Sequence, residues 1–151
     1  MDCLSDLSAG MTYRLTLVIT SHGLSAGALP APSYVVALTS AHNEPCRYFE
    51  ALAQALAPIV GSLTLDGLAP DDGVVELLNA VTAATSPSSS DFALVLWDYD
   101  VIDLPAIHAA TAMMVDYLPP SMHVIIIARR VPPLVNIPRL RARRQLLEMT
   151  P

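Results

Sequence analysis

The chain has 151 residues and a formal net charge of −6, and 53% of its residues are hydrophobic. This length suits one domain with a buried core, and the longest uncharged stretch, residues 15–41, is broken by glycines and prolines, which argues against a membrane span. An acidic start argues against a secretory signal, so we expect a cytoplasmic protein.

The first third of the chain is predicted to contain two strands. Residues 1–12 are small, polar and acidic, and we expect them to be frayed. Residues 13–20 and 34–39 are rich in apolar and β-branched side chains, which is typical of buried strands. A parallel crossover between them would need about a dozen residues or more, usually helical. Because residues 21–33 contain two glycines and two prolines, we expect that helix to be shortened or missing.

Two amphipathic helices are predicted next, the first beginning at Asn43 or Glu44 and the second covering residues 72–84. In each helix, four apolar side chains share one face, which indicates core packing. In the first helix they are Tyr48, Leu52, Ala55 and Leu56. In the second they are Val74, Leu77, Leu78 and Val81.

The stretch 92–103 organises the rest of the chain. Its first five residues are all apolar and do not alternate with polar ones, which predicts a strand covered on both faces, as in a parallel sheet with helices on either side. Asp98, Asp100 and Asp103 follow. We expect these acids at the carboxyl end of the strand, where open α/β sheets hold their ligands.

The last third is predicted to alternate between helix and strand. Asp103 is expected to cap a helix that begins near Pro105 and ends at Leu118. Residues 123–128 form an apolar run that predicts a further buried strand. Residues 137–147 are expected to form a basic helix. All 8 basic residues of the chain are arginines, and most of them lie in this last third.

A series of short motifs runs through the second half of the chain. They are Leu-Trp-Asp-Tyr-Asp-Val-Ile-Asp (96–103), Pro-Ala-Ile-His (105–108), Tyr-Leu-Pro-Pro (117–120), Met-His-Val-Ile-Ile-Ile-Ala-Arg (122–129), Pro-Pro-Leu (132–134) and Arg-Leu-Arg-Ala-Arg-Arg-Gln-Leu-Leu-Glu (139–148). Together, the motifs and their spacing resemble the nucleotide-binding domain of the MalT-like, LuxR-type transcriptional regulators, which belong to the STAND class of P-loop ATPases.

The resemblance implies a P-loop NTPase-like α/β fold, with a mostly parallel sheet of about five strands flanked by helices. The domain would be partial and cover residues 13–151, since the family continues into a further strand, a winged-helix region, repeats and a DNA-binding helix-turn-helix. The resemblance also implies ATP and Mg²⁺ as cofactors. It makes Gly23 a glycine of the phosphate-binding loop, Asp98 the carboxylate that helps to hold the metal, and Arg129 the sensor of the phosphates.

The chain departs from the family at positions that phosphate chemistry needs. Ala26 stands where the family has its phosphate-binding lysine, and Gly27 where it has a Mg²⁺-binding hydroxyl. No shifted alignment can supply the lysine, because the sequence contains none. Trp97 replaces the first of two consecutive aspartates that are usual there. We therefore expect no catalytic residue, no bound cofactor and no ATP hydrolysis.

Two alternative functions use the same aspartates, and a third does not depend on them. The pair Asp98 and Asp100 loosely fits the Asp-x-Asp motif of haloacid-dehalogenase-like phosphatases, and an aspartate after a strand is also typical of receiver domains. Such phosphatases also need a downstream lysine and a later acidic pair, but only Asp116 and Glu148 follow Asp103 and they are not paired. Receiver domains need a lysine and an acidic pair after the first strand, and the sequence has neither there. The third alternative is a non-catalytic α/β protein-interaction module, which would associate with itself or with a protein partner.

The basic run at 139–144 invites a nucleic-acid interpretation, because it contains four arginines. Residues 1–128, however, carry thirteen acids against two arginines and would repel a polyanion. We therefore expect no sequence-specific DNA binding by this chain alone, and no membrane partner.

Overall fold

The computed structural model describes residues 13–21, 29, 32–65, 67–85 and 90–150. The predictions made for residues 1–12 and for most of the crossover between the first two strands, including Gly23, lie outside this range. The domain limits of 13 and 151 therefore stay a prediction.

Five parallel strands form the sheet. They are β1 (Leu15–Ile19), β2 (Ser33–Ala37), β3 (Phe92–Trp97), β4 (Met122–Ala128) and β5 (Leu146–Met149). Their order across the sheet is β2-β3-β4-β1-β5, and each neighbouring pair runs parallel. This confirms the predicted α/β fold with a parallel sheet of five strands.

Helices connect the strands, and each of them has a proline in its first two positions, where the missing N–H is not needed. They are α1 (Pro45–Ala55), α2 (Ala57–Val60), α3 (Pro70–Ala84), α4 (Pro105–Asp116) and α5 (Ile137–Ala142). Two 3₁₀ helices, Ser40–Asn43 and Tyr99–Val101, precede α1 and α4. Among the described residues, no helix is long and apolar enough to cross a bilayer.

Both faces of the central strands are buried, as their unbroken apolar runs predict. On one face, Leu94 of β3 and Ile126 of β4 belong to the larger core, together with the apolar sides of α1, α3 and α4. On the other face, Val95 and Ile125 belong to a second cluster, against which Leu29 packs. The predicted inward faces of the first two helices are confirmed, apart from Ala55, which is half-buried.

One helix prediction was wrong. Residues 137–147 form only the six-residue α5, and Leu146–Met149 then forms β5 on the outer side of β1. Arg144 adopts a left-handed conformation with φ 57°, which ends the helical path. The Gln145 N–H then donates to the carbonyl of Leu140, and the chain continues as a strand. Pairing with β1 therefore outweighs the helical preference of this basic segment.

The predicted cap of α4 was also wrong. Leu104 is the N-cap of this helix, and no side chain caps it. Asp103 instead donates its backbone N–H to the side-chain oxygen of Asn43, at 2.7 Å. The helix ends at Asp116, two residues before the predicted end at Leu118.

Candidate functional site

The carboxyl ends of three neighbouring strands meet at one edge of the sheet. Trp97 of β3 pairs with Ile127 of β4, and Ile19 of β1 pairs with Ala128. The pairing of β1 with β4 continues one residue further, because the Thr20 N–H donates to the Ala128 carbonyl at 2.9 Å. The residues that follow these strands therefore lie side by side, at the edge where open α/β sheets bind ligands.

Asp98 lies at this edge, where the chain turns away from β3. Its backbone is left-handed, with φ 60° and ψ 45°, a conformation that aspartate tolerates better than most residues. Its side chain is exposed and takes part in no ion pair within the described residues. A carboxylate at this position is free to meet a ligand.

Arg129 follows β4 at the same edge and is also exposed. Its guanidinium has no described carboxylate partner. Two of the three predicted site residues, Asp98 and Arg129, therefore follow adjacent strands. The third, Gly23, lies outside the described residues.

Asp100 has a structural contact that the sequence did not reveal. Its Oδ2 accepts a hydrogen bond from the Arg129 N–H at 2.7 Å, and its Oδ1 accepts one from the Arg130 N–H at 3.3 Å. The carboxylate thus ties the segment after β3 to the end of β4. Charge-assisted hydrogen bonds of this kind are stronger than neutral ones, so Asp100 has a structural role in positioning the edge.

The donor set at this edge does not suit a Mg²⁺-bound nucleotide. In the described ranges, no three His, Cys, Asp or Glu side chains come together as a metal site. Asp98 offers a single carboxylate, and the carboxylate of Asp100 is directed towards the backbone N–H groups after β4. The sequence contains no lysine to neutralise the β- and γ-phosphates.

A buried polar network lies behind the edge and joins α1, α4 and the 3₁₀ helix that follows β3. Thr111 donates its hydroxyl proton to the Ile107 carbonyl at 2.8 Å, so its oxygen accepts from Tyr48 Oη at 2.7 Å. Tyr99 Oη lies 3.2 Å from the same Thr111 oxygen and 2.9 Å from His108 Nδ1. Sequence reasoning placed Tyr48 in the core but missed this network, whose only signal was the polar pair of His108 and Thr111, three residues apart in an apolar helix.

The two tyrosines of the network are poor nucleophiles. Burial raises the pKa of Tyr48 well above its usual value, and the nearby Tyr99 raises it further, while the hydrogen bond with Thr111 lowers it. Burial raises the pKa of Tyr99 to about 12, despite its own hydrogen bond to Thr111. Both hydroxyls therefore stay protonated at neutral pH, and the network holds three elements together without taking part in chemistry.

Asn43 braces the same region from the end of the first 3₁₀ helix. Its Nδ2 donates to the Val101 carbonyl at 2.7 Å, and its Oδ1 accepts from the Asp103 N–H at 2.7 Å. One side chain thus satisfies two backbone groups of the connection between β3 and α4. The sequence had suggested for Asn43 only a role in starting a helix.

His108 is expected to make the stability of the chain depend on pH. Burial lowers its pKa in the folded state, against the opposing effects of a backbone hydrogen bond to Ile102 and the charge of Asp103. The unfolded chain, with an ordinary histidine pKa of about 6.5, then binds the proton more tightly. The stability contributed by neutral His108 is complete above that pH and is lost as the pH falls below it.

We therefore expect the melting temperature to fall between about pH 7 and 5, and to fall less in His108→Gln, which cannot take up this proton. Thermal unfolding followed by circular dichroism at a series of pH values measures both slopes. Parallel curves for the parent and the variant would contradict the prediction. The variant also loses the hydrogen bond between His108 and Tyr99. This loss lowers the melting temperature by a similar amount at every pH, so it does not change the slope.

No protein-family model matches the sequence, and no curated protein matches it either. Solved structures do match it. A chain of Drosophila ORC bound to GC-rich DNA and Cdc6 matches with a TM-score of 0.60 and 14% identity, over 97% of this chain and 51% of that chain. A chain of Drosophila ORC bound to DNA matches with a TM-score of 0.60 and 10% identity, over 98% of this chain and 85% of that chain.

A third match, to Drosophila ORC bound to AT-rich DNA and Cdc6, has a TM-score of 0.56 and 12% identity, over 98% of this chain and 52% of that chain. The chain thus spans about half the length of two of these three solved chains. At such low identity, the likeness concerns the fold alone. It supports, for this chain, the predicted α/β fold with a parallel sheet flanked by helices.

Proposed function

We propose that this chain is a regulatory domain of the MalT-like, LuxR-type kind that has the P-loop NTPase-like fold but does not hydrolyse ATP. The observation that carries the proposal is the shared edge at which Asp98 and Arg129 follow adjacent strands, next to the end of β1. This arrangement places one carboxylate and one guanidinium beside each other, where they could contact a charged ligand although they lack the donors that a tightly held Mg-nucleotide needs. The groups that would drive phosphoryl transfer are missing. The domain would therefore act by binding a ligand or by contacting another protein, and not by catalytic turnover.

Loss of hydrolysis follows from three separate deficits. Ala26 and Gly27 offer neither the lysine charge nor the hydroxyl ligand that hold the β- and γ-phosphates and Mg²⁺. Trp97 stands where the family has the first of two consecutive aspartates, so of that pair only Asp98 remains. Since phosphoryl transfer is catalysed mainly by positioning and charge stabilisation, these losses remove most of the rate enhancement.

We expect phosphate release from Mg-ATP to equal that of a blank without protein. A coupled assay for phosphate measures this, and Asp98→Ala is the matched variant because the removed side chain is exposed; circular dichroism checks that the chain still folds, since alanine tolerates the left-handed backbone at this position less well than aspartate. Turnover clearly above the blank in the parent, and lost in Asp98→Ala, would contradict the prediction. Turnover that persists unchanged in Asp98→Ala would indicate a contaminating ATPase.

The second candidate is a non-catalytic protein-interaction module with the same fold. It is favoured by the exposed valines of the structure, which include Val35 on β2 and Val135 before α5. Equilibrium dialysis with ATP separates the two functions. Saturable binding that weakens in both Asp98→Ala and Arg129→Gln supports the nucleotide-binding regulator, whereas no binding in the parent leaves the interaction module.

DNA recognition by the basic run at 139–144 is not part of the proposal. Arg139 forms an ion pair with Asp116, and Arg141 forms one with Glu148. These pairs neutralise two of the four arginines that could meet phosphates. We expect this chain alone to show at most weak contact with DNA, which fades as salt rises.

A further inference from the structure

A cleft of about 620 Å³ lies beside the edge described above and does not include Asp98 or Arg129. One wall is formed by the 3₁₀ helix after β3 and by the first turns of α4. The other wall is formed by residues 130–135, which connect β4 to α5. The volume falls within the range of about 300–1,000 Å³ that is typical of small-ligand sites.

The walls of the cleft are held in place from several sides. Asp100 joins them through its hydrogen bonds to the Arg129 and Arg130 N–H groups. Asn43 holds the backbone on either side of Ile102, and the prolines at 105, 132 and 133 fix their own φ angles. A cleft with walls braced in this way is preformed, so a ligand would lose little affinity to ordering of the site.

Apolar side chains dominate the mouth of the cleft. Val131 is 53% exposed and Val135 is 87% exposed, the latter being the most exposed large hydrophobic side chain in the described part of the chain. Ile102 and Pro132 are buried beneath them. Covering this surface with an apolar ligand would remove it from water, which stabilises the complex.

Two opposite charges are available in the cleft. The Arg130 guanidinium and the Asp103 carboxylate are both exposed, and neither forms a hydrogen bond or ion pair with a described side chain. The other polar groups are already engaged, Asp100 with backbone N–H groups and His108 with Tyr99. As far as the described lining residues go, the cleft therefore offers one free cation and one free anion beside apolar walls.

We propose that this cleft binds a short apolar peptide with free ends, of the size of a dipeptide. Its carboxylate would pair with Arg130, whose planar guanidinium suits bidentate contact, and its ammonium group with Asp103. Its apolar side chains would cover Val131 and Val135. A phosphorylated ligand suits the cleft less well, because Asp100 and Asp103 together outweigh the single Arg130 charge. This site is independent of the function proposed above.

The test uses the dipeptide leucyl-leucine as a probe, with its N-acetyl and C-amide derivatives as matched controls. Titration is followed by chemical shifts of the isotope-labelled full chain. We expect saturable millimolar or tighter binding of the free dipeptide, with shifts at 99–109 and 130–135. Each derivative should bind about tenfold more weakly, because it loses one charge-assisted contact. Equal affinity for all three peptides, or no saturation by the free dipeptide, would overturn the proposal.

Charge variants separate direct contact from a general loss of structure. Arg130→Gln should weaken binding of the free dipeptide about tenfold but leave binding of the C-amide derivative unchanged. Asp103→Asn should likewise weaken binding of the free dipeptide about tenfold, and it should leave binding of the N-acetyl derivative unchanged. Arg143→Gln removes an exposed arginine that does not line the cleft and should change neither. If Arg130→Gln weakens the C-amide derivative as much as the free dipeptide, Arg130 does not bind the carboxylate and the assignment fails.

Discussion

The variant Thr111→Val is expected to lower the free energy of unfolding by about 1–3 kcal/mol. The substitution keeps the shape of the side chain but removes the oxygen that accepts from Tyr48 at 2.7 Å. Tyr48 is fully buried, so its hydroxyl would be left without a partner and without water. Tyr99 keeps its contact with His108 and should suffer less. Urea denaturation followed by circular dichroism measures the change.

Thr82 of α3 provides the matched control. Its hydroxyl also donates to a carbonyl four residues earlier in its own helix, at 2.8 Å from Leu78 O, but its side chain is exposed. Thr82→Val should therefore change stability by less than about 0.5 kcal/mol. The double variant Tyr48→Phe with Thr111→Val removes both partners and should recover part of the loss. A loss in Thr82→Val as large as in Thr111→Val would show that helix propensity, and not the network, explains the result.

The strands of the sheet differ in how well the sequence alone predicts them. The strands β3 and β4 could be predicted because their apolar runs are long enough to need burial on both faces. The strand β5 could not be predicted, because Leu146–Met149 contains only four residues and follows a helical pattern of arginines. Its strand conformation depends on pairing with β1, more than a hundred residues earlier in the chain. Tertiary context outweighed local propensity there.

The candidate site also contains features that the sequence predicts and features that it does not. Asp98 and Arg129 follow predicted strands, so the parallel arrangement was sufficient to expect them at one edge. The hydrogen bonds of Asp100 to the backbone after β4, and of Asn43 to the backbone after β3, join segments far apart in sequence. They depend on side-chain geometry that no local pattern encodes. The acids 98, 100 and 103 resemble one cluster in the sequence, yet the structure gives each a different role.

The two edges of the sheet differ in a way that predicts how copies of the chain associate. β5 carries Glu148, which pairs with Arg141, and charged residues on an edge strand oppose pairing with another chain. β2 consists of Ser33–Ala37, which has no charged residue, and among the described residues its only partner strand is β3. Its Val35 is 44% exposed. The free edge of β2 is therefore the surface through which two copies would extend their sheets.

We expect the parent chain to self-associate at micromolar concentration and Val35→Lys to shift it towards the monomer. Pairing of two β2 edges would bring the two introduced charges close together, and like charges across a strand pair are destabilising. Val75→Lys is the control, because Val75 is 42% exposed and belongs to α3 and not to an edge strand. Light scattering measures the masses. A sharp monomer mass for the parent would refute self-association, and an equal shift in Val75→Lys would mean that added charge, and not the β2 edge, controls it.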